Sequence, residues 1–236
     1  RKPCGSGSPE GDLLVTSAAF DDPKEGGQVL HFAIPFAAPG ISLADDWRTL
    51  GMRATGSHTI VLDNVFVPDE AIALRRPRGR YHPAWSVILT VAMPLIMSVY
   101  AGIAEAAAAT GAALAGKRRG DPTVPYLLGE LTNALTTTQL AIDDMVRLAN
   151  DFDFAMTLDL ANAMLVRKTI VAEHVMTTVE KALEAAGGAG FYRNAGLERL
   201  LRDAHGAQFH PLSAKRQHRF TGRIALGLDP IADSAA

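Results

Sequence analysis

The chain of 236 residues has one cysteine, few aromatic residues and almost no net charge. Cys4 alone excludes an internal disulfide framework and a site built on several thiolates, and it favours a reducing cytoplasm as the compartment. Aromatic residues make up 6% of the chain, which argues against a stacking platform for single-stranded bases. A formal net charge of −2 argues against a protein held on nucleic acid by phosphate contacts.

General catalytic and metal motifs are also lacking. The sequence has neither a P-loop nor a His-Glu-x-x-His segment, and a predicted helix rather than a strand precedes Gly188 and Gly190, which argues against a dinucleotide fingerprint. The histidines at 205, 210 and 218 are not spaced to share one helical face, and no recurring carboxylates accompany them. We therefore expect no metal site.

Composition divides the chain near residue 75. Before it, runs rich in apolar and β-branched residues at 12–20, 29–36 and 59–67 alternate with turn clusters, which predicts antiparallel strands. After it, apolar residues recur every three or four positions, as at Val171, Val175, Val179 and Leu183, which predicts helices. Three long helices and two shorter ones are expected, in an antiparallel bundle.

One segment of the helical part needs a separate interpretation. Residues 83–104 contain no charged side chain, so a hydropathy window would mark a membrane span. Pro94 stands at its centre, and Ser, Thr, Ala and Gly dilute its hydrophobicity. We favour a buried bundle helix over a membrane span.

Two blocks of sequence carry a resemblance to a known family. The segment WRTLGMRATGSHTIVLDNVFVP (47–68) resembles the second half of the middle β domain of acyl-CoA dehydrogenases. The turn GGAGF (187–191) and the helix LERLLRDA (197–204) resemble the glycine turn and Arg-Asp helix of that superfamily's C-terminal bundle. The resemblance implies an α+β fold: an incomplete, antiparallel middle β domain at 1–75, then an antiparallel, four-helix-type bundle at 76–236. It also implies that the family's N-terminal helical domain is absent.

The resemblance implies a flavin cofactor, FAD with FMN as the alternative, and cofactor-binding residues. Ser6 matches the hydroxyl residue beside the flavin ring, although it is equally a turn residue among glycines, and Cys4 replaces a common tryptophan. Arg118 matches an arginine that reaches the pyrophosphate of a neighbouring subunit's FAD, with helix capping as the alternative. Gly187 and Gly188 match the turn that lets backbone approach the cofactor, and both also suit a helix end.

Two departures from the family pattern concern the chemistry. Glu184 stands where a glutamine is common, which would place a carboxylate beside a pyrophosphate. The family's catalytic glutamate corresponds to Pro211, and its alternative position falls near Ala92, so neither offers a proton acceptor. His210 corresponds to a loop histidine of two-component flavin monooxygenases, where an imidazole could protonate oxygen on the flavin or deprotonate a phenol or amine. His210 is our catalytic candidate, with loop capping as its alternative role.

The resemblance thus implies a flavin-dependent oxidoreductase that is monooxygenase-like because the usual glutamate is missing. A conventional acyl-CoA dehydrogenase acting on a CoA thioester remains an alternative, as does a non-catalytic oligomerisation module that needs a partner domain. Expected partners are a small-molecule substrate, further copies in a homodimer or homotetramer, and a flavin reductase or electron acceptor. Nucleic acid is not expected as a partner.

Overall fold

A computed structural model describes residues 1–232, which form two compact units. One unit holds residues 1–82 together with 231–232, and the other holds Pro83–Pro230. The boundary falls after residue 82 rather than after 75, because the last strand, Ile72–Pro77, continues the sheet across the predicted boundary.

The first unit is built from five antiparallel strands in two sheets. Strands β1 (Leu13–Asp22), β2 (Gly26–Pro35) and β5 (Ile72–Pro77) form one sheet in the order β1-β2-β5. Strands β3 (Ile41–Leu43) and β4 (Ile60–Leu62) form the other. The turn between β1 and β2 is closed by the Asp22 carboxylate, which accepts hydrogen bonds from two backbone N–H groups. The core of this unit consists of Leu14, Phe32, Ile34 and Ile60.

The third predicted strand is shorter than its sequence pattern indicated. It was expected over 59–67, but β4 ends at Leu62. Asn64 adopts a φ of 51°, in the left-handed region, which an extended strand cannot contain. The β-branched residues after it therefore pack from a loop, where Val65 and Val67 still contact the core.

The second unit contains the three long and two short helices that the periodicity predicted. They are α1 (Ala84–Gly116), α2 (Val124–Ala149), α3 (Leu158–Ala186), α4 (Leu197–Ala204) and α5 (Ala214–Ala225). Thr157 caps α3 by accepting a hydrogen bond from the backbone N–H of Leu160. In the predicted stripe Val171, Val175 and Val179 are fully buried, whereas Leu183 is partly buried.

Close packing of α1 against α3 depends on small side chains. A Cβ atom at Gly111 would lie 2.6 Å from the carbonyl oxygen of Ala182, so only glycine permits this approach. Helix α1 is also long and apolar enough to cross a membrane by length and composition. Core helices of bundles pass the same test, and α1 buries one face from Leu89 to Ala115 inside the unit.

Candidate active site

His210 lies against the bundle, where its ring contacts Tyr100 of α1. Its Nε2 is 2.9 Å from the Tyr100 hydroxyl, a hydrogen-bond distance. The two rings meet edge to face, with centroids 5.4 Å apart. Nδ1 of His210 has no hydrogen-bond partner among residues 1–232. One ring nitrogen is therefore held by the protein, while the other is available to a ligand.

A buried lysine supports the loop that carries His210. Lys168 of α3 is only 1% exposed, and its Nζ donates a hydrogen bond of 3.0 Å to the carbonyl oxygen of Leu212. Within residues 1–232 that neutral carbonyl is the hydrogen-bond partner of an ammonium group taken out of water, an arrangement that costs free energy. Burial accordingly lowers the pKa of Lys168 to about 8.

The same surroundings control the protonation of His210 and Tyr100. Burial, followed by the nearby charge of Lys168, lowers the pKa of His210 below its ordinary value. Burial, followed by the charge of Asp203, raises the pKa of Tyr100 to about 12. At neutral pH the histidine is thus a neutral imidazole and the tyrosine a neutral phenol, so this cluster can accept a proton at His210.

Arg118 and Gly187 lie together at the other end of α3. The Arg118 Nη2 donates a hydrogen bond to the carbonyl oxygen of Ala185, and Nη1 lies 3.7 Å from the carboxylate of Asp121. A Cβ atom at Gly187 would lie 3.0 Å from the guanidinium group. The arginine thus caps the C-terminus of α3 rather than its own helix, and Gly187 leaves room for it.

Gly188 and Glu184 are the other two residues that the sequence analysis singled out near this turn. Gly188 has open space where a side chain would stand. Glu184, whose charge was expected to oppose a pyrophosphate, pairs at 2.9 Å with Lys181, which also pairs with Glu130. A cleft of about 470 Å³ beside the turn is lined by Leu114 and by residues of the 189–195 segment.

Ser6 belongs to the first unit, where it is exposed at the start of the chain. Its hydroxyl oxygen accepts a hydrogen bond of 3.0 Å from Ser57, and the Ser57 hydroxyl lies 2.7 Å from that of Thr55. These three hydroxyls form a short polar row. The sequence analysis selected Ser6 but neither Ser57 nor Thr55. Cys4 is exposed and has a φ of 59°.

The structure therefore brings Arg118 to Gly187, and it joins His210 to two residues that the sequence analysis did not select. Tyr100 is hidden within a long uncharged run, where nothing distinguishes it from a core aromatic residue. Lys168 carried a usable signal, because it lies on the same helical face as the buried Leu165, Ala172 and Val175. A charged residue on a buried face needs an explanation in any bundle.

Comparison with known proteins places this architecture in a family. The family model for the acyl-CoA dehydrogenase C-terminal domain matches residues 95–214. The amino sugar nitrososynthase DnmZ of Streptomyces peucetius is 30% identical over 86% of this chain and 53% of its own length. The putative acyl-CoA dehydrogenase YdbM of Bacillus subtilis is 26% identical over 85% of this chain and 52% of its own length.

A solved structure extends the match to almost the whole chain. KijD3, in complex with FMN and a dTDP-linked amino-keto sugar, superposes with a TM-score of 0.83 and is 26% identical. The match covers 97% of this chain and 58% of KijD3. Other relatives are flavin-dependent monooxygenases.

The chain belongs to the acyl-CoA dehydrogenase superfamily and has the fold of its C-terminal parts. This confirms the family and the α+β fold that the two sequence blocks predicted. The chain spans about half the length of the curated relatives it matches.

The helical unit offers one group suited to the phosphate of a flavin. The Arg118 guanidinium is partly exposed and uses Nη2 for Ala185, which leaves Nε and further N–H groups for an anion. Asp121 offsets part of its charge, so a phosphate would compete with that carboxylate. The donors present fit the cofactor, with Arg118 as the group that would bind its phosphate.

Proposed function

We propose that this chain is part of a flavin-dependent monooxygenase and that His210 is its proton acceptor. The observation that carries the proposal is the neutral imidazole held at Nε2 by Tyr100, with Nδ1 free, beside the Pro211 position where a dehydrogenase would have its glutamate. Nitrososynthases and flavin-dependent monooxygenases among the relatives support the same reaction class.

In the proposed reaction the cofactor would provide electrons, and the protein would accept a proton. A bound reduced flavin would supply the two electrons that monooxygenation needs, with one oxygen atom of dioxygen entering the substrate and the other leaving as water. The Nδ1 atom of His210 accepts a proton from the substrate's amine or hydroxyl group. The substrate nitrogen or oxygen that loses the proton becomes a better nucleophile. A neutral histidine suits this role because an imidazolium could not accept the proton.

We also propose a cofactor, a substrate class and partners for this chain. Because KijD3 binds FMN, we propose FMN or FAD as the flavin, reduced by a separate reductase. The substrate would carry an amine or a phenol, as in an amino sugar, rather than a CoA thioester. Exposed Ile88, Leu95 and Val99 on α1 support a homodimer or homotetramer. The single cysteine, Cys4, supports the cytoplasm as the compartment.

The first experiment is a visible spectrum of the purified chain before and after addition of FMN or FAD. We expect flavin to bind and an added acyl-CoA to leave its absorbance unchanged without oxygen. Anaerobic bleaching by the acyl-CoA would replace our proposal with dehydrogenation. A chain that binds no flavin until a partner domain is added would instead support the oligomerisation module.

Substitution of His210 tests its assigned role. We expect His210→Ala to lower oxygenation of an amine or phenol substrate by roughly 10²–10⁴-fold, the usual contribution of a positioned base. Flavin content and the thermal midpoint should stay close to those of the wild type. His218→Ala, on the exposed side of α5, is the matched control. Equal turnover in both variants would remove His210 from the mechanism.

A further inference from the structure

We infer that Tyr100 and Lys168 are positioning residues that together present Nδ1 of His210 to the substrate. The inference rests on the proposed function, because it assigns how that site's histidine is oriented. It concerns three groups from three parts of the helical unit: α1, α3 and the loop before α5.

Tyr100 determines which ring nitrogen is used. Its side chain is 2% exposed, so the phenol has little freedom to move away from Nε2, 2.9 Å distant. A histidine nitrogen engaged by the protein determines the tautomer and hence the state of the other nitrogen. Nδ1 has no partner among the described residues, and it can accept a proton when Nε2 carries the ring hydrogen and donates it to the Tyr100 hydroxyl oxygen. The inference assigns this tautomer to His210, with Nδ1 as the working atom.

Lys168 determines where the loop lies. Its hydrogen bond to the Leu212 carbonyl ties the backbone two residues after His210 to the middle of α3. The loop also contacts Tyr100 through His210, and within the loop Gln208 lies 3.4 Å from the ring of His205. Burying a lysine against a loop carbonyl costs desolvation free energy. An apolar residue would fill the same space without that cost.

The charges that face His210 explain why a lysine stands there. Tyr100 reaches it from α1 and Lys168 from α3, while Asp203 of α4 acts on Tyr100 and His205 lies in the same loop. The positive charge of Lys168 disfavours a second positive charge on the imidazole. The lysine therefore anchors the loop and also keeps His210 in the form that accepts a proton.

The tautomer of His210 tests the role of Tyr100 without flavin or substrate. In ¹⁵N-labelled wild type we expect the neutral His210 ring to show mainly the tautomer with its proton on Nε2. Tyr100→Phe keeps the buried ring but removes the hydroxyl, and we expect a mixture of both tautomers. A mixture or a dominant Nδ1–H tautomer in the wild type, or an unchanged tautomer in the variant, would overturn the role of Tyr100. The wild-type measurement decides even where the variant does not fold.

Titration of His210 by NMR tests the role of Lys168. We expect the pKa of His210 to rise in Lys168→Met and to return towards the wild-type value in Lys168→Arg, which restores the charge. Lys181→Met, on the exposed end of the same helix, should leave that pKa unchanged. Equal His210 titration in wild type and both Lys168 variants would overturn the inference. If Lys168→Met does not fold, the comparison of Lys168→Arg with Lys168→Gln replaces it.

Failure of the inference and failure of the proposed function give different results. If His210→Ala abolishes turnover while Tyr100→Phe leaves the tautomer unchanged, the function stands and the positioning fails. If the tautomer and titration respond as expected while His210→Ala turns over normally, the cluster positions a histidine that the reaction does not use.

Discussion

The middle of α3 and its C-terminal end hold polar side chains in opposite ways. Near the middle, Lys168 and Tyr100 are buried and His210 is half-buried, and this cluster has two hydrogen bonds, from Lys168 to Leu212 and between Tyr100 and His210. At its C-terminus, Arg118 and Lys181 are partly exposed and each contacts two groups. Burial with few partners shifts protonation strongly, whereas exposure with several partners gives interactions that water and salt weaken.

Under the proposed function, this difference separates the site of proton transfer from the site of phosphate binding. A proton acceptor needs a perturbed, oriented group, which the His210 cluster provides. Phosphate binding needs an accessible cation with spare donors, which Arg118 provides. Substitutions in the His210 cluster should therefore have large effects on protonation. Substitutions near Arg118 and Gly187 should have smaller effects, on ligand affinity and on backbone strain.

The largest expected effect is the pH dependence that Lys168 gives to stability. Its pKa is lowered from 10.5 to about 8, so between these values the unfolded chain binds the proton more tightly. The Lys168 contribution to the free energy of unfolding should thus rise as the pH increases above 8, by on the order of 3 kcal/mol in full. Urea unfolding at pH 7.5 and 9.5 measures the first part of this rise, before the raised pKa of Tyr100 acts in the opposite direction above pH 10.

Lys168→Met provides the control for that measurement. The variant lacks the titrating group, so its free energy of unfolding should change less between the two pH values than that of the wild type. Parallel pH profiles for both proteins would show that Lys168 is not desolvated, and the contrast between the middle and the C-terminal end of α3 would disappear.

A smaller effect is expected from backbone strain at the Gly187 turn. Gly187 has φ 61° and ψ −151°, a region that is essentially restricted to glycine. Gly187→Ala should therefore lower the free energy of unfolding by about 2 kcal/mol. Gly188→Ala, which meets open space, should change it little. Equal thermal midpoints for the two variants would contradict this assignment.

The smallest effect is expected for Arg118 and concerns cofactor affinity. Arg118→Ala should weaken flavin binding by about 1.5 kcal/mol, or roughly tenfold in Kd, because a partly exposed charged hydrogen bond lies at the low end of its range. Arg119→Ala, on the exposed neighbour, is the control in a fluorescence titration with FMN. If the two variants bind flavin equally, Arg118 serves only to cap α3.

Most of the fold could be predicted because its signals are local. The helical period, the glycine turn and the Arg-Asp helix each depend on residues close in sequence, and all three long helices were found. Errors arose where a local pattern met a long-range constraint. The strand expected over 59–67 ends at Leu62 because Asn64 turns the backbone, and β5 crosses the expected boundary because it pairs with β2.

Sequence reasoning could select only some of the residues of the candidate site. His210 was found through its place in the family pattern, and Arg118 and Gly187 through theirs. Their partners were not found, since Tyr100 is 110 residues from His210 in the chain and Lys168 is 44 residues from Leu212. Residues that far apart leave no spacing signal.

The sequence by itself determined the family and the order of strands and helices, and it led to the prediction that Pro211 stands at the dehydrogenase glutamate position with His210 beside it. These properties follow from residue type and from short-range periodicity. Only the tertiary structure decided that Arg118 caps α3 and that the half-buried His210 imidazole contacts a phenol and lies near the charge of a buried ammonium group. Burial and charge proximity arise when distant segments pack together, and these two effects determine whether an imidazole is neutral and which of its nitrogens is free.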